Sequence, residues 1–238
     1  MTEEQAKQTA NLIFKDVFGR ESPYSLPEVR QKLGFDLHLP IEMPCAKSGK
    51  EVSIYRSRED DRVVSQEAFM AQTKIDDWMQ PATPISNMTD LLAAWEKVHF
   101  MTGDKSVNSQ QMTKSDSILN SSNVYGSALV GGSKNMLFCE NDFFSNYLIA
   151  SAGNNSCNFC IRAFDSEFCA SSFEVRFCNK VAKSLFINDA GDLYECMFCY
   201  GIRSKKYCIA NMQFSQEEYM KIKPMVIEWI FKEYLNRH

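Results

Sequence analysis

Two pairs of cysteines have the spacing that chelates zinc: Cys157-Asn-Phe-Cys160 and Cys196-Met-Phe-Cys199. Two CxxC units offer four thiolates, the donor set of a tetrahedral structural site. The chain has nine cysteines, an odd count in a sequence too long for a disulfide miniprotein, so reduced thiols in a reducing compartment are expected. Other chemistry is thin. None of the three histidines, His38, His99 and His238, lies among residues 129–208, which carry eight of the cysteines, so a Cys-His or Ser-His nucleophile pair there would have to bridge domains. His99 sits in an apolar helical stretch and reads as a packing residue. Gly131-Gly132-Ser133-Lys134 lacks the Walker spacing of a phosphate loop and reads as a turn. Asp165, Asp189 and Asp192 could line a sugar-cleaving groove, a chemistry suited to extracellular polymers. Arg203, Lys205 and Lys206 form a small basic cluster whose default reading is a solvated edge.

The elements that carry the cysteines repeat. An aromatic or leucine residue returns nearly every nine positions, at Leu129, Phe138, Tyr147, Phe159, Phe168, Phe177, Phe186, Phe198 and Tyr207. Taken alternately, four of these read Phe-Cys (138–139, 159–160, 177–178 and 198–199), which suggests a coil of about 18–21 residues. Such a period is the mark of a solenoid, in which each unit buries its apolar side against its neighbours. A β-sandwich of short strands is the competing architecture.

The residue two before each anchor is usually small or apolar (Ser127, Met136, Ser145, Cys157, Ser166, Val175, Ser184, Cys196). Strand alternation then puts these and the anchors inside. It puts Val130, Cys139, Leu148, Cys160, Cys169, Cys178, Ile187, Cys199 and Cys208 on an outer stripe. An apolar stripe of that extent marks a contact surface; with the facing inverted it is core. In the 18–21-residue reading Cys160 and Cys199 lie two coils apart, roughly 9–10 Å along the axis, too far for one metal whose thiolates all sit at ~2.3 Å.

Composition changes near residue 113, after six of the seven prolines and two of the three tryptophans. Before it, Thr2 with Gln5 forms a capping box for a helix through about Phe18, and Ser25-Leu-Pro-Glu28 starts a second. Glu51–Tyr55 alternates as a strand, and Thr89 or Asp90 starts a helix through about Phe100 with Leu91, Leu92, Trp95 and Val98 on one side. At the far end Ser215 and Glu218 cap an amphipathic helix suited to covering the last coil, which Pro224 should bend or divide.

The net charge of −4 gives no polycationic footprint for nucleic acid. No stretch is long and apolar enough for a membrane span, and the acidic start MTEEQAKQTA is unlike a secretion signal. A cytoplasmic location follows as the expectation.

The segment Leu193-Tyr-Glu-Cys-Met-Phe-Cys199, with Ile202-Arg-Ser-Lys-Lys-Tyr-Cys-Ile-Ala-Asn211 and Gln213-Phe-Ser-Gln-Glu-Glu-Tyr219, resembles the C-terminal signature of a family. That family comprises uncharacterised Cys- and aromatic-rich repeat proteins of small-genome uncultivated bacteria, and the resemblance covers residues 115–235. Some members are labelled zinc-ribbon proteins. The resemblance implies membership and brings no catalytic residue or cofactor with it.

The expectation is an α+β chain. An α-rich N-terminal domain (1–112) is followed by a right-handed parallel β-helix (113–212) and a C-terminal capping helix (213–238). It reads as a non-enzymatic structural or protein-interaction module that self-associates, without cofactor, nucleic acid or membrane. A zinc- or thiol-dependent regulator built on the CxxC pairs is the alternative, and an enzyme with its site at the domain junction is the third reading.

Overall fold

The computed structural model describes residues 1–58, 61–72 and 78–237. Helix α1 (Glu3–Phe18) starts on the expected capping box, with Thr2 and Gln5 exchanging side-chain and backbone hydrogen bonds. It ends at Gly19, whose φ of 74° is the left-handed conformation that only glycine adopts without steric cost. Helix α2 (Leu26–Leu33) starts on the Ser25–Glu28 box, with proline in its first turn. Strands β1 (Ile41–Pro44) and β2 (Glu51–Ile54) form an antiparallel hairpin. Strands β3 (Val63–Ser65) and β4 (Met101–Gly103) pair in parallel, with helices α3 (Gln66–Met70) and α4 (Met88–Glu96) in the excursion between them. Helix α4 is capped by Asn87, whose side chain accepts the Asp90 amide, rather than by Thr89 or Asp90, and it stops at Glu96, short of Phe100.

From Ser106 the chain winds into a parallel β-solenoid of about nine turns. Lys134 pairs with Asn146, Asn146 with Asn158, and Asn158 with Ala170, so one coil is 12 residues and not 18–21. The shorter coil follows from the backbone. Every third residue is left-handed: Asn135, Phe138, Asn141, Phe144, Tyr147 and Ala150 have φ between 50° and 57°. Each such residue turns the chain into a new side, so a coil has four sides of three residues. A nine-residue step is three sides and moves the aromatic to the next corner, whereas the two twelve-residue steps are full coils that stack Tyr147 on Phe159 at 4.4 Å and Phe186 on Phe198 at 4.8 Å.

The corner also resets the inside–outside alternation. Phe138, Phe159, Phe177 and Phe198 are corner residues with φ of 55°, 52°, 52° and 54°. The residue after each corner points inward, and so does the residue two before it. Met136, Cys139, Asp142, Ser145, Leu148, Ser151, Asn154 and Cys157 are accordingly all buried, at every third position. The small residues expected inside are inside, whereas the aromatic anchors lie on the corners. Glycines make room for some of these rings: a Cβ on Gly131 would come within 2.6 Å of the Phe143 ring, and one on Gly132 within 2.8 Å of Phe144. That fits the turn reading of the Gly131-Gly132 segment.

One flank of the solenoid is fully apolar. Tyr125, Leu137, Ile149, Ile161, Phe173, Leu185 and Met197 recur once per coil and share a core with α1, α2 and helix α5 (Gln216–Lys232). Phe18 of α1 meets Phe173 at 5.2 Å and Phe231 of α5 at 5.2 Å between ring centroids. Helix α5 does not close the end of the last coil. It runs back along the flank, with Tyr219 against Tyr207, Trp229 against Phe198 and Phe186, and then Tyr234 against Phe186 and Phe173. The physical reason is the flank itself, which offers far more apolar surface than the end of one coil. Pro224 lies inside α5 without dividing it. At the end of the solenoid the chain folds back, Cys208–Ile209 pairing antiparallel with Met212–Gln213, and Arg203–Lys206 is left as an exposed edge strand.

Candidate functional site

Eight of the nine thiols lie in the solenoid core. Val130, Cys139, Leu148, Cys160, Cys169, Cys178, Ile187, Cys199 and Cys208 are each at most 3% exposed. The outer contact stripe is therefore corrected to an inner wall, because each of these residues directly follows a left-handed corner. Within that wall cysteine takes the place of serine. Ser127 Oγ donates to the Tyr125 carbonyl at 3.0 Å and accepts the Cys139 amide of the next coil at 2.9 Å. Cys139 Sγ donates in the same way to the Leu137 carbonyl at 3.3 Å, and Cys157 Sγ accepts the Cys169 amide at 3.4 Å. Many of these side chains reach the carbonyl nine residues ahead, as Cys199 does to Cys208 at 3.6 Å.

At 12 residues per coil, Cys160 and Cys199 are more than three coils apart, ~15 Å along the axis at one strand spacing per coil. Among the described residues no three His, Cys, Asp or Glu side chains are grouped to hold a metal ion. The two CxxC pairs do not fit a shared zinc site. Burial pushes the Cys139 and Cys160 thiols well above their ordinary range. Cys199 is held down to about 7 by a hydrogen bond from Cys196, whose own thiol is pushed up in exchange.

Sequence reasoning passed over Cys45, which sits at the β1–β2 turn. Burial raises its pKa, but the Ser48 hydroxyl and the amides of Ser65, Ser48 and Lys47 outweigh that and bring it to about 7. The signal available was local: a small turn, Cys-Ala-Lys-Ser-Gly, with Gly49 at φ 72°.

Where the N-terminal segments meet the solenoid, two ionic seams hold them together, and Leu26, Pro27 and Arg30 line a hollow of about 110 Å³ with Lys114, Tyr125 and Phe138. Arg162 is 1% exposed; its guanidinium clasps Asp36 through two bonds of 2.8 Å and also donates to Glu174 and to the Leu33 carbonyl. Tyr234 donates to Glu174 at 2.6 Å. Arg162 and Glu174 together thus tie the end of α2, the solenoid and the C-terminal segment to one another. In the second seam Glu140 accepts from the Tyr55 hydroxyl and from the His38 amide at 3.0 Å, with Arg56 at 3.6 Å. Burial, and then Glu140, push the Tyr55 phenol up to about 12. Buried Asp116 accepts the Tyr55 and Lys105 amides. These acids spend their oxygens holding segments together, as structural groups do.

The remaining candidates fall apart in space. His99 packs tilted against Trp95, 4.1 Å between ring centroids, and the His38 side chain is 78% exposed. His238 lies outside the described residues. Asp165, Asp189 and Asp192 are left-handed corner residues, at φ 46°, 47° and 54°, positions that aspartate tolerates well. Asp189 pairs with Arg203 at 3.3 Å, and Asp192 accepts from Ser204 at 2.8 Å.

The most unusual surface is the excursion between β3 and β4. Helix α4 has no buried residue, although Met88, Leu91, Leu92 and Trp95 are four of its nine residues. Met70, Met79 and Ile85 nearby are also more than half exposed. Beside it Val64, Phe69, Trp78, Val98, Phe100 and Thr102 line a pocket of about 210 Å³. No model of a known protein family matches the chain, and no curated protein matches it.

Proposed function

We propose that the protein is a non-catalytic interaction module. In this reading the solenoid is a rigid scaffold, and the chain self-associates through the excursion that carries α4. The supporting observation is the exposure of Met88, Leu91, Leu92 and Trp95 on a helix with no buried residue. A patch of that kind normally marks a contact surface. The occupant that suits it is a second copy of the chain. The patch carries both signs of charge, Asp90 and Glu96 beside Lys97, so two copies meet across a two-fold axis without like-charge repulsion. The reading needs no cofactor, since the thiols serve as wall residues. It suits a cytoplasmic protein, whose reduced thiols would stay as they are here.

The test is sedimentation over a concentration range with the natural chain and with Leu92→Lys/Trp95→Lys. A dimer that the double substitution converts to a folded monomer supports the reading. A natural chain that stays monomeric at concentrations up to about 1 mM, an affinity weaker than ~4 kcal/mol, overturns it.

A further inference from the structure

The last coils open a second surface, independent of α4. Lys180, Asp192, Tyr194, Ser204, Lys205 and Lys206 line a hollow of about 300 Å³ on the solenoid. Its shape follows from the repeat. Lys180, Asp192 and Ser204 are successive residues of one corner column, each at positive φ. Tyr194 and Lys206 are register partners on one flank, below which Ala182 is too small to fill the space. Lys205 continues an inward column that reads Cys157, Cys169, Val181 and Leu193 in the preceding coils. The next coil is missing there, so the lysine reaches solvent where a core residue would otherwise be.

The lining carries more positive than negative charge. Lys183 Nζ lies 5.5 Å and Lys206 Nζ 5.9 Å from the centroid of the Tyr194 ring. None of Lys180, Lys183, Lys205 and Lys206 forms an ion pair among the described residues, whereas Lys221, Lys223 and Lys232 all do. The one acid in the lining, Asp192, is engaged by the Ser204 hydroxyl at 2.8 Å. Within the lining three lysines stand against one carboxylate, Asp192, and Lys183 lies beside them under the pull of Glu195 and Asp16, so a local excess of positive charge remains in a chain of net charge −4 and attracts anions.

Protection of an exposed edge explains part of this, since lysines on an edge strand discourage pairing with another chain. It explains Arg203, Lys205 and Lys206, which lie on that strand. It does not explain Lys180 and Lys183, because the strand Asn179–Ala182 is paired on both sides. The two lysines nevertheless face the same hollow or its tyrosine.

We propose that this hollow binds a linear polyphosphate chain, carried by a nucleoside triphosphate or free in solution. Lysines act as separate point charges around a multi-oxygen anion, without the planar fork that arginine offers a carboxylate. Two coils separate Lys180 from Lys205 and Lys206, ~10 Å at one strand spacing per coil, so the charges suit an extended anion better than a single phosphate. Tyr194 brings a hydroxyl into the same lining, where it can donate to a phosphate oxygen.

The experiment is calorimetric titration of the full chain at low salt with orthophosphate, tripolyphosphate, ATP and a single-stranded oligonucleotide. Tripolyphosphate is expected to bind with a sub-millimolar Kd, at least tenfold tighter than orthophosphate. Lys180→Glu/Lys205→Glu should weaken it at least tenfold, and Lys221→Glu on α5 should leave it unchanged. Thermal melts of each variant show that the fold is intact. Equal affinity for ATP and tripolyphosphate identifies the phosphate chain as the whole ligand. Tighter ATP binding that Tyr194→Ala returns to the tripolyphosphate level assigns the nucleotide. Binding that survives the double charge reversal, the absence of saturable binding up to about 10 mM, or affinity that grows with oligonucleotide length overturns the proposal.

Discussion

The molecule has two apolar helical surfaces, and it treats them in opposite ways. On the solenoid flank, Tyr125 to Met197 are sealed beneath α1, α2 and α5. On the excursion, α4 leaves Leu91, Leu92 and Trp95 43%, 51% and 52% exposed. The flank is an apolar ladder that recurs once per coil, long enough to hold a helical layer. The excursion offers only the small cluster of Cys45, Val52, Ile54, Val63 and Val64, which α4 does not cover. The same residue types therefore stabilise the fold in one place and stay available for contact in the other.

The sharpest way to break this comparison is to truncate one aromatic on each side. Phe173 is fully buried and touches the rings of Phe18, Phe186 and Tyr234 at 5.2, 5.3 and 5.8 Å. Phe173→Ala should cost about 3–5 kcal/mol, read as a lowered midpoint in urea. Trp95→Ala should stay within ~0.5 kcal/mol of the natural chain. Equal losses would mean that α4 is packed in solution.

A second test probes how the sealed side is fastened. Arg162→Leu leaves Asp36 and Glu174 only the half-exposed Arg176, at 3.6 and 3.4 Å, as a cation, and removing one partner of a buried pair typically costs about 3–5 kcal/mol. Adding Asp36→Asn and Glu174→Gln should recover part of that loss, because the stranded charges go with it. A single substitution without effect on the denaturation midpoint would show that the layer is held by apolar packing alone.

How much of this was legible in the sequence depends on the backbone. The helix starts at Thr2, Ser25 and Ser215 were readable because capping is local chemistry. The solenoid was readable because repetition survives any facing error. Its coil length and its facing were not. A strand alternates every two residues, but here a corner intervenes at every third, and phenylalanine is an unusual residue for the left-handed region. Nothing in the identity of Phe138 announces φ 55°. The readable signal was the period of three: from Ser115 to Ile202 every third residue is small, apolar or a buried polar group such as Asp142 and Asn154. The contact surface was hidden for a different reason. The amphipathic pattern of α4 is the same whether a helix is covered by its own chain or by another.

Inside the solenoid, Asp142 interrupts the ladder of neutral side chains. It is fully buried, and its Oδ1 accepts the Asn154 amide at 2.8 Å while Oδ2 has no partner. Burial raises its pKa to about 7. Unfolded aspartate titrates near ~3.9, so between pH ~4 and 7 the folded state binds a proton that the unfolded state has lost. Stability from this group is therefore greatest below pH ~4, falls as pH rises to about 7, and is level above that. One coil on, Asn154 fills the equivalent place and donates to the Ala163 carbonyl nine residues ahead at 2.8 Å. Asp142→Asn can copy that bond, and should stabilise the protein by about 1–3 kcal/mol at pH 8. The gain should shrink as the pH approaches 4. A gain that does not vary with pH would show that the carboxyl is not titrating.

The smallest expected change in stability is the most telling for the exposed side. Leu92→Lys/Trp95→Lys adds two charges to a helix whose residues are already half in water, so the thermal midpoint should move by an amount equivalent to no more than ~0.5 kcal/mol. The association constant should fall much further. A contact centred on a tryptophan and a leucine loses its apolar anchors and must bury new lysines, and truncation of such anchors alone costs about 2 kcal/mol or more. Stability and association would then be carried by different surfaces, as the contrast between the sealed flank and the open helix requires. If the double substitution lowers the melting temperature as much as it weakens association, α4 belongs to the core and the contrast fails. If it changes neither, the exposed apolar residues are not where copies of the chain meet.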